Sequence, residues 1–223
     1  MRKIKILGIC GSPRRDGATE LALRTVLDDI LSVSDVFTVD FWTVSGKKIS
    51  PCVHCDACFR ARSMCVIQDD HQEIEQKILA ADAIIMASPV YDMNISAQLS
   101  AVLNRMRPIY MVHSGVLENK VGAAITTGGT RYGGVETAKY PMISFYLMNG
   151  MLVTGGGGSC YLGGSIWSQD KKSQGAIEDI VGLETLHRLV KAISKAAVIS
   201  VLGQEALSRQ NGSRIAQIGR AHV

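Results

Sequence analysis

The sequence predicts an α/β fold: a doubly wound, five-stranded parallel sheet with helices on both faces. Three observations carry this. Short apolar runs alternate with stretches of helical periodicity along the chain. The run Ile84-Ile-Met86 is apolar at consecutive positions, as suits a strand covered on both faces. Loops rich in small and turn-forming residues follow the first, third and fourth runs, where the carboxyl ends of parallel strands gather.

In chain order, Lys3 to Ile9 forms the first expected strand. Gly11-Ser-Pro-Arg-Arg-Asp-Gly17 then leads into a helix whose apolar positions are Leu21, Leu23, Val26, Leu27, Ile30 and Leu31. Further strands are expected at 35–42, 83–87, 121–126 and 151–154, with helices at 69–81, 97–106 and 136–148 and a long closing helix over 183–202. Parallel neighbours need crossover helices, so this alternation points to a parallel sheet. A cysteine-bearing segment, 46–68, is inserted between the second strand and its helix. The stretch 140–169 has no charged residue, but Asn149 and Gly155-Gly-Gly-Gly158 interrupt it. It reads as buried core and a Gly-rich loop, since a membrane span needs about 20 apolar residues.

With 47% apolar and 20% charged residues, the 223-residue chain suits one domain, expected over 1–205. The net charge of +4 comes without any Lys/Arg run longer than two, so the basic stripe of a nucleic-acid binder is missing. Met1-Arg-Lys-Ile-Lys reads as a charged lead-in to a strand and not as a secretory signal, so the chain is expected in the cytoplasm with reduced thiols. Ile218-Gly-Arg-Ala-His-Val223 resembles a translated sequencing adaptor, and 211–223 is expected to be a non-native or disordered tail. Without it the charge falls to +2.

Four cysteines, Cys52, Cys55, Cys58 and Cys65, fall within fourteen residues. A C-x2-C-x2-C core lets three thiolates converge from one turn while a fourth arrives from just outside, as iron-sulfur clusters require. Zinc fits the spacing less well, since structural zinc sites usually join two separate knuckles. Unliganded or redox-active thiols are a third reading. Arg60, Arg62 and His54 could place positive charge beside an anionic cluster and raise its potential. Cys10 and Cys160 read as small buried hydrophobes. His71, His113 and His187 fit no ligand spacing, and Glu73, Glu75 and Lys77 read as the wet face of a helix.

The loops supply a second set of candidates. Ser12-Pro-Arg-Arg-Asp-Gly-Ala-Thr19 precedes a helix N-terminus, where free N–H groups and the dipole favour a phosphate. It is neither a Walker A loop nor a G-x-G-x-x-G fingerprint. In Ser88-Pro-Val-Tyr-Asp-Met-Asn-Ile-Ser96, Tyr91 could stack on a flat ring. In Thr127-Gly-Gly-Thr-Arg-Tyr-Gly-Gly134 the backbone can approach a ligand closely, with Arg131 and Tyr132 as handles.

Together these loops resemble the flavodoxin-like family of NADPH-dependent FMN reductases, and Pro51-Cys-Val-His-Cys-Asp-Ala-Cys58 with Cys65 resembles its iron-sulfur flavoprotein branch. The resemblance spans about 3–200. It implies a non-covalent FMN whose phosphate is held by Ser12, Arg14, Gly17, Ala18 and Thr19. It implies a ring bordered by Pro89, Val90, Tyr91, Asn94 and Ser96, and by Thr127, Gly128, Gly129, Arg131, Gly133 and Gly134. A [4Fe-4S] cluster on Cys52, Cys55, Cys58 and Cys65 is implied too, with NAD(P)H or a ferredoxin as electron donor. A homo-dimer or tetramer would bring the cluster of one subunit near the flavin of another. The expected activity is that of an oxidoreductase. The alternatives are a cluster-free NAD(P)H-dependent reductase of flavin, quinone or nitro compounds, with zinc or free thiols in the cysteine loop, and a non-enzymatic flavin-binding electron carrier.

Overall fold

The computed structural model describes residues 2–210, and the expected tail at 211–223 lies outside the described residues. The elements are β1 (Ile4–Cys10), α1 (Ala18–Val33), β2 (Phe37–Thr43), α2 (Ala57–Ala61), α3 (His71–Ala80), β3 (Ala83–Pro89), α4 (Ala97–Asn104), α5 (Arg107–Met111) and β4 (Val121–Gly128). They continue with a 3-10 turn (Thr137–Lys139), α6 (Tyr140–Met148), β5 (Leu152–Val153), β6 (Gly164–Trp167), α7 (Lys172–Glu178) and α8 (Ile180–Arg209). All sheet pairings are parallel, in the order β2-β1-β3-β4-β5 with β6 also on β4. Because β1 sits between β2 and β3, the winding reverses there, and such a switch point opens a crevice at the strands' carboxyl ends.

The sheet has six strands where the sequence pattern suggests five. Its last position is shared: β5 pairs with Val121 and Gly122, whereas β6 pairs with Ile125 to Gly128. The four glycines after β5 end its pairing, and the chain rejoins β4 at Gly164. Lys139, fully buried, fastens this second segment, its Nζ donating to Ser165 Oγ and Glu136 Oε1 at 2.6 Å each. The closing helix runs to Arg209, past the expected end at 202 and the expected domain limit at 205.

Alternation along the strands fills two cores. Ile4, Ile6, Ile85, Ala123 and Ile125 pack with Leu23, Val26 and Ile30 of α1 and with Leu186, Leu189 and Ile193 of α8. Leu7, Ile9, Ile84, Met86 and Ala124 face the other way, onto Ile74 and Ile78 of α3, Leu99 and Val102 of α4, and Met142, Phe145 and Tyr146 of α6. Each Leu, Ile, Val, Met or Phe side chain among them gains about 1.5–3 kcal/mol from burial. Tyr146 crosses so close to β4 that a Cβ at Gly122 would lie 2.5 Å from its ring. Its hydroxyl donates to Ala123 O at 2.9 Å and accepts from Met86 N at 3.1 Å.

The wet face expected for α3 holds for Glu73 but not for Glu75, which is buried. Its Oε1 lies 3.0 Å from Nδ1 of the equally buried His71, whose Nε2 lies 3.0 Å from Val102 O. A carboxylate four residues from an imidazole shares one helix face with it, and the pair enters the core together. The six cysteines form no disulfide, and burial pushes the Cys10 thiol up to about 11. No helix among the described residues is long and apolar enough to cross a membrane.

Candidate functional site

The loops after β1, β3, β4 and β6 enclose a cleft of about 340 Å³ at the carboxyl end of the sheet. Ser12, Arg14, Gly17, Ala18 and Thr19 line it from the first loop, Pro89, Val90 and Tyr91 from the second, and Thr127 and Gly129 from the third. A depression of similar size lies between β1, β2 and α3, lined by Leu7, Val39 and Lys77, and gathers no comparable set of polar groups.

The first loop is built for an anion. No side chain caps α1, so the first N–H groups of the helix are left open towards the cleft. Ser12, buried, exchanges hydrogen bonds with the backbone of Arg14, Oγ accepting from its N–H and donating to its carbonyl, both at 3.2 Å. Thr19 Oγ1 and Thr127 Oγ1 lie 2.5 Å apart, tying the start of α1 to the end of β4. Exposed Arg14 and Arg15 stand at the rim.

The second loop turns back tightly: Tyr91 and Asn94 exchange both backbone hydrogen bonds at 2.9 Å, with Asp92 and Met93 at φ 48° and 62°. Two successive positive φ values give a type I′ geometry, and this turn presents Tyr91 and Val90 to the cleft. Val90 N donates to Thr127 O at 2.9 Å, which joins the second loop to the third.

Six of the expected residues stand outside the cleft wall. Ser96 caps α4, accepting from Leu99 N at 3.1 Å and donating to Gly11 O at 2.5 Å. Asn94 closes the turn. Gly128 O accepts from Ser168 N and Oγ, and Gly134, at φ 89°, packs on Met93. Gly133 sits in the exposed end of the same loop, next to Thr130. Arg131 is drawn away, 3.2 Å from Asp179 Oδ1 and over the Trp167 ring at 4.5 Å. Ser168, Asp170 and Lys172 take up the wall instead, from the loop after β6. Gln169, Asp170 and Lys172 all have positive φ there. Their signal in the sequence is the turn-forming Ser-Gln-Asp run behind the short apolar Ile166-Trp167.

Cys52, Cys55, Cys58 and Cys65 line a single small cavity, with Val53, Asp56, Val66, Ile67, Arg105, Arg107 and Pro108 completing its wall. Cys58 is buried, Cys52 and Cys65 half-buried and Cys55 exposed. His54 and Asp56 adopt φ of 54° and 57°, which coils the turn, and His54 N donates to Cys52 Sγ at 3.4 Å. Asn104 Oδ1 accepts from Cys52 N at 2.7 Å. Among the described residues, no three His, Cys, Asp or Glu side chains converge as they would on one ion. The free volume is about 20 Å³, room for about one water.

The positive charge expected from Arg60 and Arg62 comes from elsewhere. Both are exposed and absent from the cavity wall, whereas Arg105 and Arg107 line it. Arg107 Nη1 hydrogen-bonds Asp56 Oδ1, and this contact holds the Asp56 carboxyl below its ordinary range.

The family model for NADPH-dependent FMN reductase matches residues 4–159. An iron-sulfur flavoprotein from Archaeoglobus fulgidus is 40% identical over 191 residues, covering 85% of this chain and 95% of that protein. Another, from Methanosarcina thermophila, is 36% identical over 190 residues, covering 85% and 93%. In fold, the chain is similar to the solved flavodoxin, WrbA-like protein from Agrobacterium tumefaciens, with a TM-score of 0.59 at 14% identity over 90% of this chain and 98% of that one. It is also similar to RosB, with a TM-score of 0.69 at 13% identity over 95% and 88%. A flavodoxin-like sheet, an anion-ready loop at its switch point and these matches together make the chain a member of the NADPH-dependent FMN reductase family, an FMN-dependent oxidoreductase.

Proposed function

We propose that this oxidoreductase is an iron-sulfur flavoprotein that passes electrons between NAD(P)H or a ferredoxin and a one- or two-electron acceptor. The observation that carries this reading is the placement of Cys52, Cys55, Cys58 and Cys65 around one cavity. Their C-x2-C-x2-C core with a nearby fourth cysteine favours a [4Fe-4S] cluster over the zinc-bound, cluster-free alternative, and the names of the curated relatives point the same way. When bound, FMN exchanges one or two electrons and a cluster exchanges one.

The chain's own part is binding and positioning. Ser12, Arg14, Gly17, Ala18 and Thr19 would hold the FMN phosphate through hydroxyls, charge and the free N–H groups of α1. Pro89, Val90, Tyr91, Thr127 and Gly129 would border the ring. Of the remaining candidates, Asn94, Ser96, Gly128, Arg131 and Gly134 would support these loops from behind, and Gly133 lies in the exposed end of the third. A nicotinamide donor would reach the ring through the open mouth of the cleft. Asp170 and Lys172 would flank that path.

Exposed Val53, Phe59 and Val66 around the cysteines, and Met93 and Tyr132 beside the cleft, support a homo-dimer or tetramer that brings the two regions of different subunits together. A cytoplasmic location agrees with six free thiols. The test is the visible spectrum of protein purified without oxygen, with iron, sulfide, zinc and flavin analysis. FMN with about four iron per chain is expected. Flavin with zinc or no metal would leave the cluster-free reductase.

A further inference from the structure

α4 connects the two regions. It starts at Ser96, whose hydroxyl holds the first loop through Gly11, and ends at Asn104 and Arg105, which hold the cysteine loop. Arg105 is only 1% exposed, deeply buried for an arginine. Its Nη1 donates to Ser50 O at 3.0 Å and to Asp69 Oδ2 at 2.7 Å, and its Nη2 donates to Ile67 O at 3.1 Å. Asp69 Oδ2 also accepts from Ser50 N at 3.0 Å. Ser50 and Ile67 stand just before Cys52 and just after Cys65, so this one side chain closes the neck of the loop that carries all four cysteines.

Closing a loop uses the two Nη groups and leaves Nε without a partner among the described residues. A buried donor left unpaired costs about 1–3 kcal/mol unless something at the site accepts from it. Arg105 lines the same cavity as the four cysteines.

We propose that Arg105 is a positioning residue that both clasps the cluster-binding loop and sets the cluster's reduction potential, by holding a permanent positive charge and a spare N–H in the wall of the cysteine cavity. The inference rests on the iron-sulfur reading above. Reduction of the cluster adds one negative charge, which a fixed guanidinium favours and the carboxylate of Asp69 opposes. Substitutions at the two positions should therefore shift the potential in opposite directions.

The experiment is a redox titration of the anaerobically purified holoprotein, with iron, sulfide and FMN counted on each sample. Arg105→Gln should lower the reduced-to-oxidised ratio at a fixed poise about tenfold, a shift of about 59 mV to lower potential for one electron. Asp69→Asn should move the potential upward, and Arg105→Lys, which keeps the charge, should stay close to wild type. FMN content should be unchanged in all three. A purely structural clasp would cost cluster occupancy in Arg105→Gln and Asp69→Asn without opposite shifts. An unchanged midpoint in Arg105→Gln, or shifts of the same sign at the two positions, overturns the proposal. Should Arg105→Gln lose the cluster altogether, Asp69→Asn and Arg105→Lys still decide it: an upward shift with retention in the lysine variant supports the proposal, and no shift at Asp69 overturns it. Wild-type protein without iron would overturn the iron-sulfur reading itself, before any variant is compared.

Discussion

The cleft and the cysteine cavity are assembled in opposite ways. The cleft draws on four loops spread from Ser12 to Lys172, and its walls are joined by contacts such as Thr19 to Thr127 and Val90 to Thr127. The four cysteines of the cavity come from a single short loop, and the residues that close it, Asn104, Arg105, Arg107 and Pro108, come from one distant stretch. A site built from distant strand ends depends on the whole sheet being formed. One built from a local loop depends on its ligands and on one clasp. The two should therefore fail independently when their own residues change, and together only through α4.

The largest expected effect tests that independence. Cys55→Ser should abolish cluster absorbance and leave FMN bound, since Cys55 lines the cavity and not the cleft. Full iron content in this variant would remove Cys55 from the ligand set. The mirror experiment is Ser12→Ala with Thr19→Ala, which should weaken FMN binding about tenfold or more, the scale of lost hydrogen bonds to a charged group, with iron unaffected. Fluorescence titration of the deflavinated protein reads it. A parallel loss of iron would break the comparison.

Arg131→Ala sharpens it within the cleft. Arg131 is turned onto Trp167 and Asp179, so its loss should barely change FMN affinity. It should instead lower stability by about 1–3 kcal/mol in urea unfolding, because buried Asp179 loses its charged partner. Ser96→Ala removes the α4 cap and the tie to Gly11, and about 1 kcal/mol of stability is expected to go with them. As the residue linking the two regions, it should be the single change that loosens both FMN and iron binding.

The smallest effect is a control at the amino end of the sheet. Burial pushes the Asp82 carboxyl up, but the Arg2 side chain and the Lys5 N–H outweigh it and hold its pKa below the ordinary value. A depressed folded pKa means that the stabilisation is present at neutral pH and is lost as pH falls through the folded value. Thermal unfolding between neutral and acidic pH should show this slope, flattened in Asp82→Asn by no more than about 1 kcal/mol, since Arg2 is largely exposed. Neither cofactor should respond.

Much of this was legible in the sequence because it depends on local pattern. Alternating runs identify β1 to β4 and their helices, since strand and helix periods differ and parallel strands must be covered on both faces. The cysteine spacing groups four ligands, since one loop can bring them together with little help from the rest of the fold. The strand missed was β6, because four residues flanked by glycine give too short a pattern and its place depends on β5 ending early beside it. With β6 went Ser168, Asp170 and Lys172.

Charge is where sequence pattern says least. Arg60 and Arg62, adjacent to the cysteines in sequence, point to solvent, while Arg105, forty residues beyond Cys65, is buried against them. Glu75 and Lys139 look like surface residues and lie inside, Glu75 beside His71 and Lys139 hydrogen-bonded to Glu136 and Ser165. Arg131 reads as a ligand handle, yet Asp179 and Trp167 hold it. The sequence by itself determined the layers of the fold, the anion-ready turn and the four thiols, because hydrophobic period, turn chemistry and ligand spacing act over a few residues. Only the tertiary structure decided which charges face the two sites, because a charged group is buried or exposed according to partners that the folded chain brings from far away.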